Sequence, residues 1–504
     1  MKKKIFIFQQ REWHNRIGKY LAKKLLDDNY SLACLTFKKN VNQRINEQYK
    51  DYYENIISHD DIIENPKKYI NKKNENLSLQ EISKNLCDCD LWQIIQSARN
   101  HVKSYKKKFY YSFSQNKDDK EIINYLRALY CTAEYVYENF KPDIIFTPNF
   151  VSLPHIVFNL YFKKKNIPMF GTADCKVAAK DIFIYDYLHT DSNFIRYLES
   201  NKNYEATIDE DKLILEIIEN YKNDQIKRKY LFISEEYRFF KNYKRFFLRF
   251  LREAFDSLTK KNINRLKGIG PTIDDKNFFI VIRDFLTFIK NIIFEKFFIY
   301  DEIPENSRFT FFTLQVQPEA SLDVLAPLFN NQIETARQIA MQLPADMALV
   351  VKDHPDMHGR RSVSYLNKIK NIPNVKLVNF REESSKILLK SELLIASTGS
   401  IIMESAIFKK HCLQLGELGT TLYLPNVFKR NIKLNMVNQI EEILKKNLDD
   451  QTYLDKLKNY ILAGLKTGHD SDVHRNAWEI NKKIDHEKFY KLIKDQIEIL
   501  TKNN

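Results

Sequence analysis

The sequence predicts an α/β protein with two domains, each built round a parallel sheet and its crossover helices. Two observations lead to this prediction. Short apolar runs of strand length alternate with helical patterns near the N-terminus, and the same alternation returns after residue 305. Between these parts lies a helical stretch rich in Phe, Tyr, Lys and Ile. With 504 residues, 44% of them hydrophobic and 13% aromatic, the chain can fill more than one core.

The first domain is predicted over residues 1–180. Its predicted strands are 3–9, 31–36, 143–147 and 167–171, with helices at about 17–26 and 155–164 and a mostly helical stretch over 40–140. Strands that alternate with helices form a parallel sheet with right-handed crossovers. This segment is therefore predicted to be Rossmann-like.

Residues 181–304 break the alternation and are predicted to be a helical connecting region. Of the formal charge of +15, nine excess charges fall between Lys222 and Lys267, where 14 Lys and Arg stand against 5 Asp and Glu. Aromatic and leucine side chains are mixed with these cations, which suits an anionic membrane surface. The alternative is an amphipathic helix packed on its own domain with a solvated basic face. We expect no nucleic-acid partner, because no such motif is present.

The second sheet is predicted over 305–432, and a charged helical tail over 433–504. Predicted strands are 309–316, 348–352, 375–379, 392–396 and 411–415, with helices at 320–342, 362–371, 383–390 and 400–409. The alternation again predicts a Rossmann-like domain.

Polar clusters follow three strands of this second domain. They are Gln315, Gln317 and Glu319 after the first strand, Lys352, His354 and Pro355 after the second, and Ser397, Thr398, Gly399 and Ser400 after the fourth, with Glu404 one turn into the next helix. Residues just past the carboxyl ends of parallel strands meet in one crevice, where such folds bind ligands. The chain has only 10 Gly, and four lie within 308–425. The clusters are therefore expected to form one site.

The residue types in these clusters suit a nucleotide. Lys352 and His354 at a strand end can bind a phosphate or protonate a leaving oxygen, which makes His354 a catalytic candidate. Small hydroxylated residues round Gly399 at a helix start can present backbone N–H groups to an anion, and Glu404 can accept hydrogen bonds from ribose hydroxyls. An ordinary helix cap and a solvated loop histidine are the alternatives. No Asp-x-Asp motif stands beside these residues, so we expect no bound metal, and we expect no cofactor.

The first domain supplies further candidates for a general base or nucleophile. Glu12 and His14 follow its first strand, Asn149 and His155 follow another, and Asp174 follows Gly171-Thr-Ala. A carboxylate or imidazole that faces the cleft between the domains can activate an attacking hydroxyl. For each residue a solvated loop position is the alternative.

These motifs resemble the capsule polysaccharide biosynthesis family, the group that includes Kdo-transferase-like enzymes with a two-Rossmann GT-B fold. The matching segments are Leu314-Gln-Val-Gln-Pro-Glu319, Val351-Lys-Asp-His-Pro355 and Ala396-Ser-Thr-Gly-Ser400 with Glu404. The resemblance implies a nucleotide-activated sugar donor, often CMP-linked. It implies that His354, Ser397, Thr398 and Ser400 bind the phosphate, that Lys352 supports them and that Glu404 holds the ribose. It does not identify the catalytic carboxylate, because the first domain matches less well.

The resemblance leads us to expect a metal-independent glycosyltransferase that acts on a capsule or other surface-polysaccharide acceptor. The N-terminus lacks the apolar core of a signal peptide. We therefore expect a cytoplasmic enzyme, peripheral on the inner face of the membrane, with a glycan or glycolipid acceptor. Alternatives are a polyol-phosphate transferase or nucleotide-sugar epimerase of related fold, and a non-catalytic membrane-surface scaffold of a glycan assembly complex.

Overall fold

The computed structural model describes residues 2–106, 113–223, 235–259, 263–273, 275–448, 451–478 and 482–502. It contains two sheets with helices packed against them, and the predicted α/β class with two Rossmann-like domains is confirmed. Parts of the predicted basic segment, namely 224–234 and 260–262, lie outside the described residues.

The first sheet begins with the N-terminal strand. Its strands are β1 (Lys4–Gln10), β2 (Ser31–Phe37), β3 (Asn55–Ser58), β4 (Ile144–Phe146), β5 (Met169–Asp174) and β6 (Lys180–Ile184). The five strands β3, β2, β1, β4 and β5 are parallel neighbours in that order, and β6 joins the edge antiparallel to β5. Strand β6 was not predicted, and it carries the first sheet past residue 180 into the segment predicted to be a helical connecting region. Strand β3 is also not among the predicted strands. It has only four residues and lies in a stretch of mainly helical pattern.

Both faces of this sheet are covered. Successive side chains of β1 point to opposite faces, so Phe6 and Phe8 pack in one core while Ile5 and Ile7 pack in another. The helices of this part are Arg11–Trp13, His14–Gly18, Lys19–Asp27, Lys39–Gln48, Lys50–Tyr52, His59–Glu64, Pro66–Tyr69, Leu79–Asn85, Leu91–Ile95, Arg99–Val102, Asp119–Tyr135, Val136–Phe140 and Leu153–Lys164.

The second sheet has six strands, all parallel. They are β7 (Arg308–Thr313), β8 (Met347–Lys352), β9 (Val375–Val378), β10 (Leu393–Ala396), β11 (His411–Gln414) and β12 (Val427–Lys429), in the spatial order β12-β11-β10-β7-β8-β9. Counted from β7, this is the doubly wound order 6-5-4-1-2-3 of the Rossmann fold. From β7 the chain builds the sheet outward in one direction through β8 and β9, and then returns to add β10, β11 and β12 on the other side of β7. The strand order therefore reverses between β7 and β10.

Short helices connect the strands of the second sheet. They are Ala320–Asp323, Pro327–Phe329, Gln332–Ala340, Pro355–Met357, Val363–Lys370, Ser384–Lys390, Ile401–Ile407, Thr420–Tyr423 and Met436–Leu444. The sequence predicted one helix over 320–342, and the structure instead has three pieces there. Pro327 opens the second piece, which is consistent with its missing N–H and fixed φ.

The connecting region contains the helices Asn193–Ser200, Ile208–Lys222, Glu235–Leu258 and Phe278–Glu295. The last of them touches both domains. Arg283 donates to the carbonyl of Lys106 at 2.6 Å, and Asn291 donates to the carbonyl of Gly359 at 3.0 Å. The helix therefore bridges the two domains on one side of the molecule.

After the second domain the chain returns to the first. The helix Gln451–Thr467 is followed by β13 (His469–Asp470), which pairs antiparallel with β6. The helices Ser471–Arg475 and His486–Lys502 follow, and Phe489, Ile493 and Ile497 pack into the same core as Trp13. Among the helices that the structure describes, none is long and apolar enough to cross a membrane.

Candidate functional site

The site lies at the carboxyl ends of three neighbouring strands of the second sheet. Strand β7 pairs with β8 on one side and with β10 on the other. The gap between β7 and β10 is the point where the strand order reverses, which is the usual ligand position in a doubly wound sheet. The three polar clusters predicted from the sequence follow these three strands.

The loop after β7 reaches the loop after β10 through Gln315. The Nε2 of Gln315 donates to the carbonyl of Thr398 at 3.1 Å. Gln332 holds the loop from behind, since its Oε1 accepts from the N–H of Gln315 at 2.5 Å and its Nε2 donates to Gln317 Oε1 at 2.6 Å. Gln317 is buried within this loop, whereas Glu319 is exposed and accepts from the hydroxyl of Ser321 at 2.6 Å. Of the three predicted residues, Gln315 faces the neighbouring loop.

The loop after β8 is joined to the same place by Arg361. Its Nη2 donates to the carbonyl of Gln315 at 2.7 Å, and its Nη1 pairs with the carboxylate of Asp353. Asp353 also accepts from the N–H of His354 at 2.6 Å. Burial raises the pKa of Asp353, an effect that the charges of Arg361 and Lys352 oppose. Lys352 itself is buried. The end of β8 therefore has two buried cations, Lys352 and Arg361, beside one buried carboxylate, Asp353.

The side chain of His354 is one third exposed, and a hydrogen bond from the backbone two residues later orients its ring. Its Nδ1 accepts a hydrogen bond from the N–H of Asp356 at 3.2 Å, and Pro355 begins the short helix Pro355–Met357. A ring nitrogen that accepts carries no proton, so the neutral ring has its proton on Nε2. In this tautomer the imidazole can donate a hydrogen bond to an anionic oxygen.

The loop after β10 contains small hydroxylated residues. The Oγ of Ser397 is buried and has no hydrogen-bond partner among the described residues. Thr398 donates to the carbonyl of Ser321 at 3.2 Å, and Gly399 has φ of +111°, a conformation that favours glycine. Ser400 is exposed at the start of the helix Ile401–Ile407, and Glu404 is buried one turn later.

A glycine after β11 supports this loop. The N–H of Gly416 donates to the carbonyl of Ser397 at 2.9 Å, and a Cβ at position 416 would lie 2.5 Å from that same oxygen. The close approach of two backbones explains a glycine here in a chain with few of them.

Replacing Gly416 with alanine is expected to displace the Ser397 loop, because the overlap is with backbone and not with a flexible side chain. We expect a loss of roughly 1–3 kcal/mol in the free energy of unfolding. Because the sequence predicts a phosphate site at this loop, we also expect roughly tenfold weaker nucleotide binding. Urea denaturation and calorimetric titration measure the two effects.

The matched control for that change is Gly464→Ala, where the new Cβ would lie 2.8 Å from Val177 Cβ, away from the site. This variant is expected to lose stability with unchanged nucleotide affinity. Equal nucleotide affinities for the Gly416 and Gly464 variants would contradict the supporting role of Gly416.

The candidates in the first domain do not come together. Glu12 is exposed and accepts from Asn15 at 3.3 Å. His14 is buried and its Nδ1 lies 2.8 Å from Gln9 Oε1, on the face of β1 opposite to Gln10. Burial, with smaller contributions from Arg44 and Lys19, lowers the pKa of His14 to about 3.

Asp174 lies at the end of β5 opposite Asp181 of β6. Burial pushes its pKa upward, but Lys176, whose Nζ is 2.9 Å away, outweighs this effect, so the pKa of Asp174 is lowered. Burial and the Asp174 charge raise the pKa of Asp181 to about 7. Asp174 is thus part of a charged cluster on the β5–β6 hairpin.

His155 lies under the strand ends with residues that the sequence did not single out. Its Nε2 is 2.6 Å from Gln10 Nε2, its Nδ1 is 2.9 Å from Ser152 Oγ, and Phe37 stacks on its ring. Burial lowers the pKa of His155 to about 3. Two more buried histidines, His59 and His101, complete this group.

An ion pair joins this part of the first domain to the second domain. The Nε of Arg99 donates to Asp323 Oδ2 at 2.6 Å, and the Asp323 side chain is fully buried. Asp323 belongs to the short helix that follows the Gln315–Glu319 loop. The pair therefore links the loop after β7 to the strand ends of the first domain. Since its members are 224 residues apart, no local pattern could have indicated it.

Comparisons with known proteins give only distant likenesses. No family model matches the chain, and no curated protein matches its sequence. Similar solved structures include the β-Kdo 2,7-transferase KpsC of Thermosulfurimonas dismutans, with 11% identity over 66% of this chain and 78% of that chain and a TM-score of 0.34. The calicheamicin glycosyltransferase CalG4 has 11% identity over 96% of this chain and all of its own, with a TM-score of 0.26.

A UDP-GlcNAc 2-epimerase from Neisseria meningitidis, solved with UDP-GlcNAc bound, has 13% identity over 92% of this chain and 98% of that chain, with a TM-score of 0.22. Transferases and epimerases thus occur side by side among these structures. At such identities and TM-scores the likeness decides nothing about activity, because function depends on the site and not on the fold.

Proposed function

We propose that this protein is a GT-B-type glycosyltransferase that moves a sugar from a nucleotide-activated donor to a surface-glycan acceptor. The observation that carries the proposal is the convergence of three loops at the reversal point of the second sheet. Gln315, Arg361 and Thr398 tie these loops together, and the buried Ser397 hydroxyl has no described partner there. A polar site built in this way suits a phosphate-bearing ligand.

In this proposal the donor phosphate lies between the loops after β8 and β10. His354, with its proton on Nε2, donates to a phosphate oxygen, and the Ser397, Thr398 and Ser400 loop supplies further donors. Lys352 stabilises the negative charge that develops on the departing nucleotide. Glu404 holds the ribose, while Gln315 contacts the base or the sugar. These roles require no bound metal ion.

The acceptor binds against the first domain, and the ion pair between Arg99 and Asp323 helps to hold the domains together over it. Closure excludes water and so limits hydrolysis of the donor. The base that activates the acceptor hydroxyl is Glu12, His14 or Asp174 of the first domain. The proposed donor is CMP-linked and the acceptor a capsule or other surface polysaccharide, assembled at the inner face of the cytoplasmic membrane.

A thermal-shift screen without added metal, with and without EDTA, tests the donor site. It compares CMP, CDP, UDP, GDP and their sugar conjugates. A ligand that binds only the folded protein adds about 2.7 kcal/mol of stability at a hundredfold excess over its Kd. A shift with one nucleotide supports the proposal, and the absence of any shift at millimolar nucleotide would overturn it in favour of a non-catalytic scaffold.

Product analysis with the nucleotide sugar that binds then separates transfer from epimerisation. A transferase leaves the donor sugar unchanged in configuration until an acceptor is supplied, and then releases the nucleotide. An epimerase converts the donor without any acceptor. Conversion without acceptor would therefore reject the transferase in favour of the epimerase.

A further inference from the structure

The helices Glu235–Leu258 and Phe278–Glu295 pack side by side and leave an apolar face in solvent. The rings of Phe250 and Phe285 stack between them with centroids 4.1 Å apart. On the outer side of the first helix, Leu248, Leu251, Phe255 and Leu258 are 47–63% exposed. They recur at helical spacing, so they share one side of the helix. This side does not contribute to a core of the described structure.

The second helix separates its buried and exposed residues in the same way. Val281 and Phe288 are buried against the protein. Phe279, Leu286 and Ile293, spaced seven residues apart, face outward with exposures of 81%, 60% and 49%, and Phe297 just past the helix is 80% exposed. We call the outer sides of both helices, with Phe297, the docking face.

Cations surround the docking face, and the acidic residues of the second helix are turned away from it. Lys244, Arg245, Arg252, Lys290 and Lys296 are exposed. Asp284 is buried against Lys276 at 2.8 Å, and Glu295 is buried 3.4 Å from His358. In the first helix Asp256 lies 3.9 Å from Arg252, so part of its charge is offset locally. The docking face is therefore apolar at its centre and basic at its edge.

We propose that the docking face binds an anionic lipid bilayer, with the two helices lying in the plane of the headgroups. Amphipathic helices with aromatic and leucine residues on one side and Lys or Arg beside them bind this interface. A second copy of the chain fits less well, because two such basic faces would repel each other. The structure adds the helix Phe278–Glu295 and Phe297 to the membrane segment expected from the sequence.

The inner side of the same helix contacts both domains, through Arg283 to the carbonyl of Lys106 and through Asn291 to the carbonyl of Gly359. Docking would thus hold both sides of the cleft in a defined orientation to the bilayer. If the proposed transferase function holds, this arrangement brings a lipid-linked acceptor to the cleft. The docking itself does not depend on that function.

Co-sedimentation with vesicles tests the proposal. The full-length protein is expected to bind vesicles that contain phosphatidylglycerol and to remain in solution with pure phosphatidylcholine. Each cation near an anionic surface contributes roughly fivefold to partitioning. The variant Lys290→Glu with Lys296→Glu is therefore expected to bind at least tenfold more weakly, and Phe279→Ser with Leu286→Ser and Phe297→Ser is expected to lose binding.

Matched controls place the same changes elsewhere on the surface. Ile208→Ser with Met341→Ser replaces apolar residues that are 89% and 68% exposed, and Lys445→Glu with Lys446→Glu reverses exposed charges. Both are expected to bind vesicles like the parent protein. Equal loss in variants and controls, no binding to phosphatidylglycerol, or self-association through the docking face in sedimentation velocity would each overturn the proposal.

The nucleotide-induced thermal shift is measured on the same variants. It is expected to be unchanged, because the docking face lies outside the three loops of the nucleotide site. Loss of vesicle binding with an intact shift supports membrane docking whether or not sugar transfer is later found. Failure of the nucleotide screen alone would reject the proposed function and leave the docking result standing.

Discussion

Replacement of His354 by asparagine is expected to weaken nucleotide binding by about tenfold or more. The loss corresponds to one hydrogen bond to a charged group, worth roughly 1.5–3 kcal/mol. Asparagine retains an acceptor that can receive the N–H of Asp356, which His354 Nδ1 receives at 3.2 Å, but it cannot place a donor where Nε2 stands. The local turn is therefore kept while the proposed phosphate contact is lost. Calorimetric titration with the nucleotide found in the screen measures the effect.

His411→Asn is the matched control for that change. His411 is the first residue of β11 and so lies at the opposite end of the sheet from the site. This variant is expected to bind the nucleotide with the parent affinity. If the two variants bind equally well, His354 has no part in donor binding and the phosphate position must be sought elsewhere.

Replacement of Arg99 by methionine is expected to lower the free energy of unfolding by about 3–5 kcal/mol, because it leaves the carboxylate of Asp323 buried without its partner. Methionine keeps much of the side-chain volume, so the effect is mainly electrostatic. The Lys103 charge nearby offsets part of the loss. Urea denaturation with fluorescence detection measures the change.

Two comparisons separate the buried charge from other causes. Arg308→Met removes an exposed arginine that pairs with Glu392 at 2.8 Å, and it is expected to cost about 1 kcal/mol or less. The double variant Arg99→Met with Asp323→Leu removes both charges and is expected to regain most of the lost stability. A single Arg99 variant as stable as the Arg308 variant would show that the pair does not hold the domains together.

The local pattern of the sequence predicted the second sheet well. Strands β7, β8 and β10 are apolar runs that end in polar clusters, and such runs stand out because buried parallel strands need apolar residues on both faces. Strands β3, β6, β12 and β13 were not predicted. β3 lies in a stretch of mainly helical pattern, and β6 lies at the start of the segment predicted to be a helical connecting region. β12 and β13 have only three and two residues, too few to show a period.

The residues that hold the loops of the site in place were harder to predict than the polar residues at the strand ends. Arg361 and Gln332 bind backbone groups of the Gln315 loop, and neither lies in a strand-end cluster. Their role follows from tertiary contacts over 46 and 17 residues of chain. The docking face was predicted in part, because the basic helix Glu235–Leu258 is visible in the composition whereas the outer side of Phe278–Glu295 appears only once its inner side is seen packed.

The return of the chain to the first domain has a consequence for how the protein is made. The core around Trp13 includes Phe489, Ile493 and Ile497, and β13 completes the edge of the sheet that begins with β1. Trp13 and its neighbours can therefore complete this core only after residues more than 450 positions later have been synthesised. The second domain is contiguous from β7 to the helix Met436–Leu444, so all its strands are synthesised before those residues. The first domain is thus expected to complete its native packing after the second domain has been synthesised.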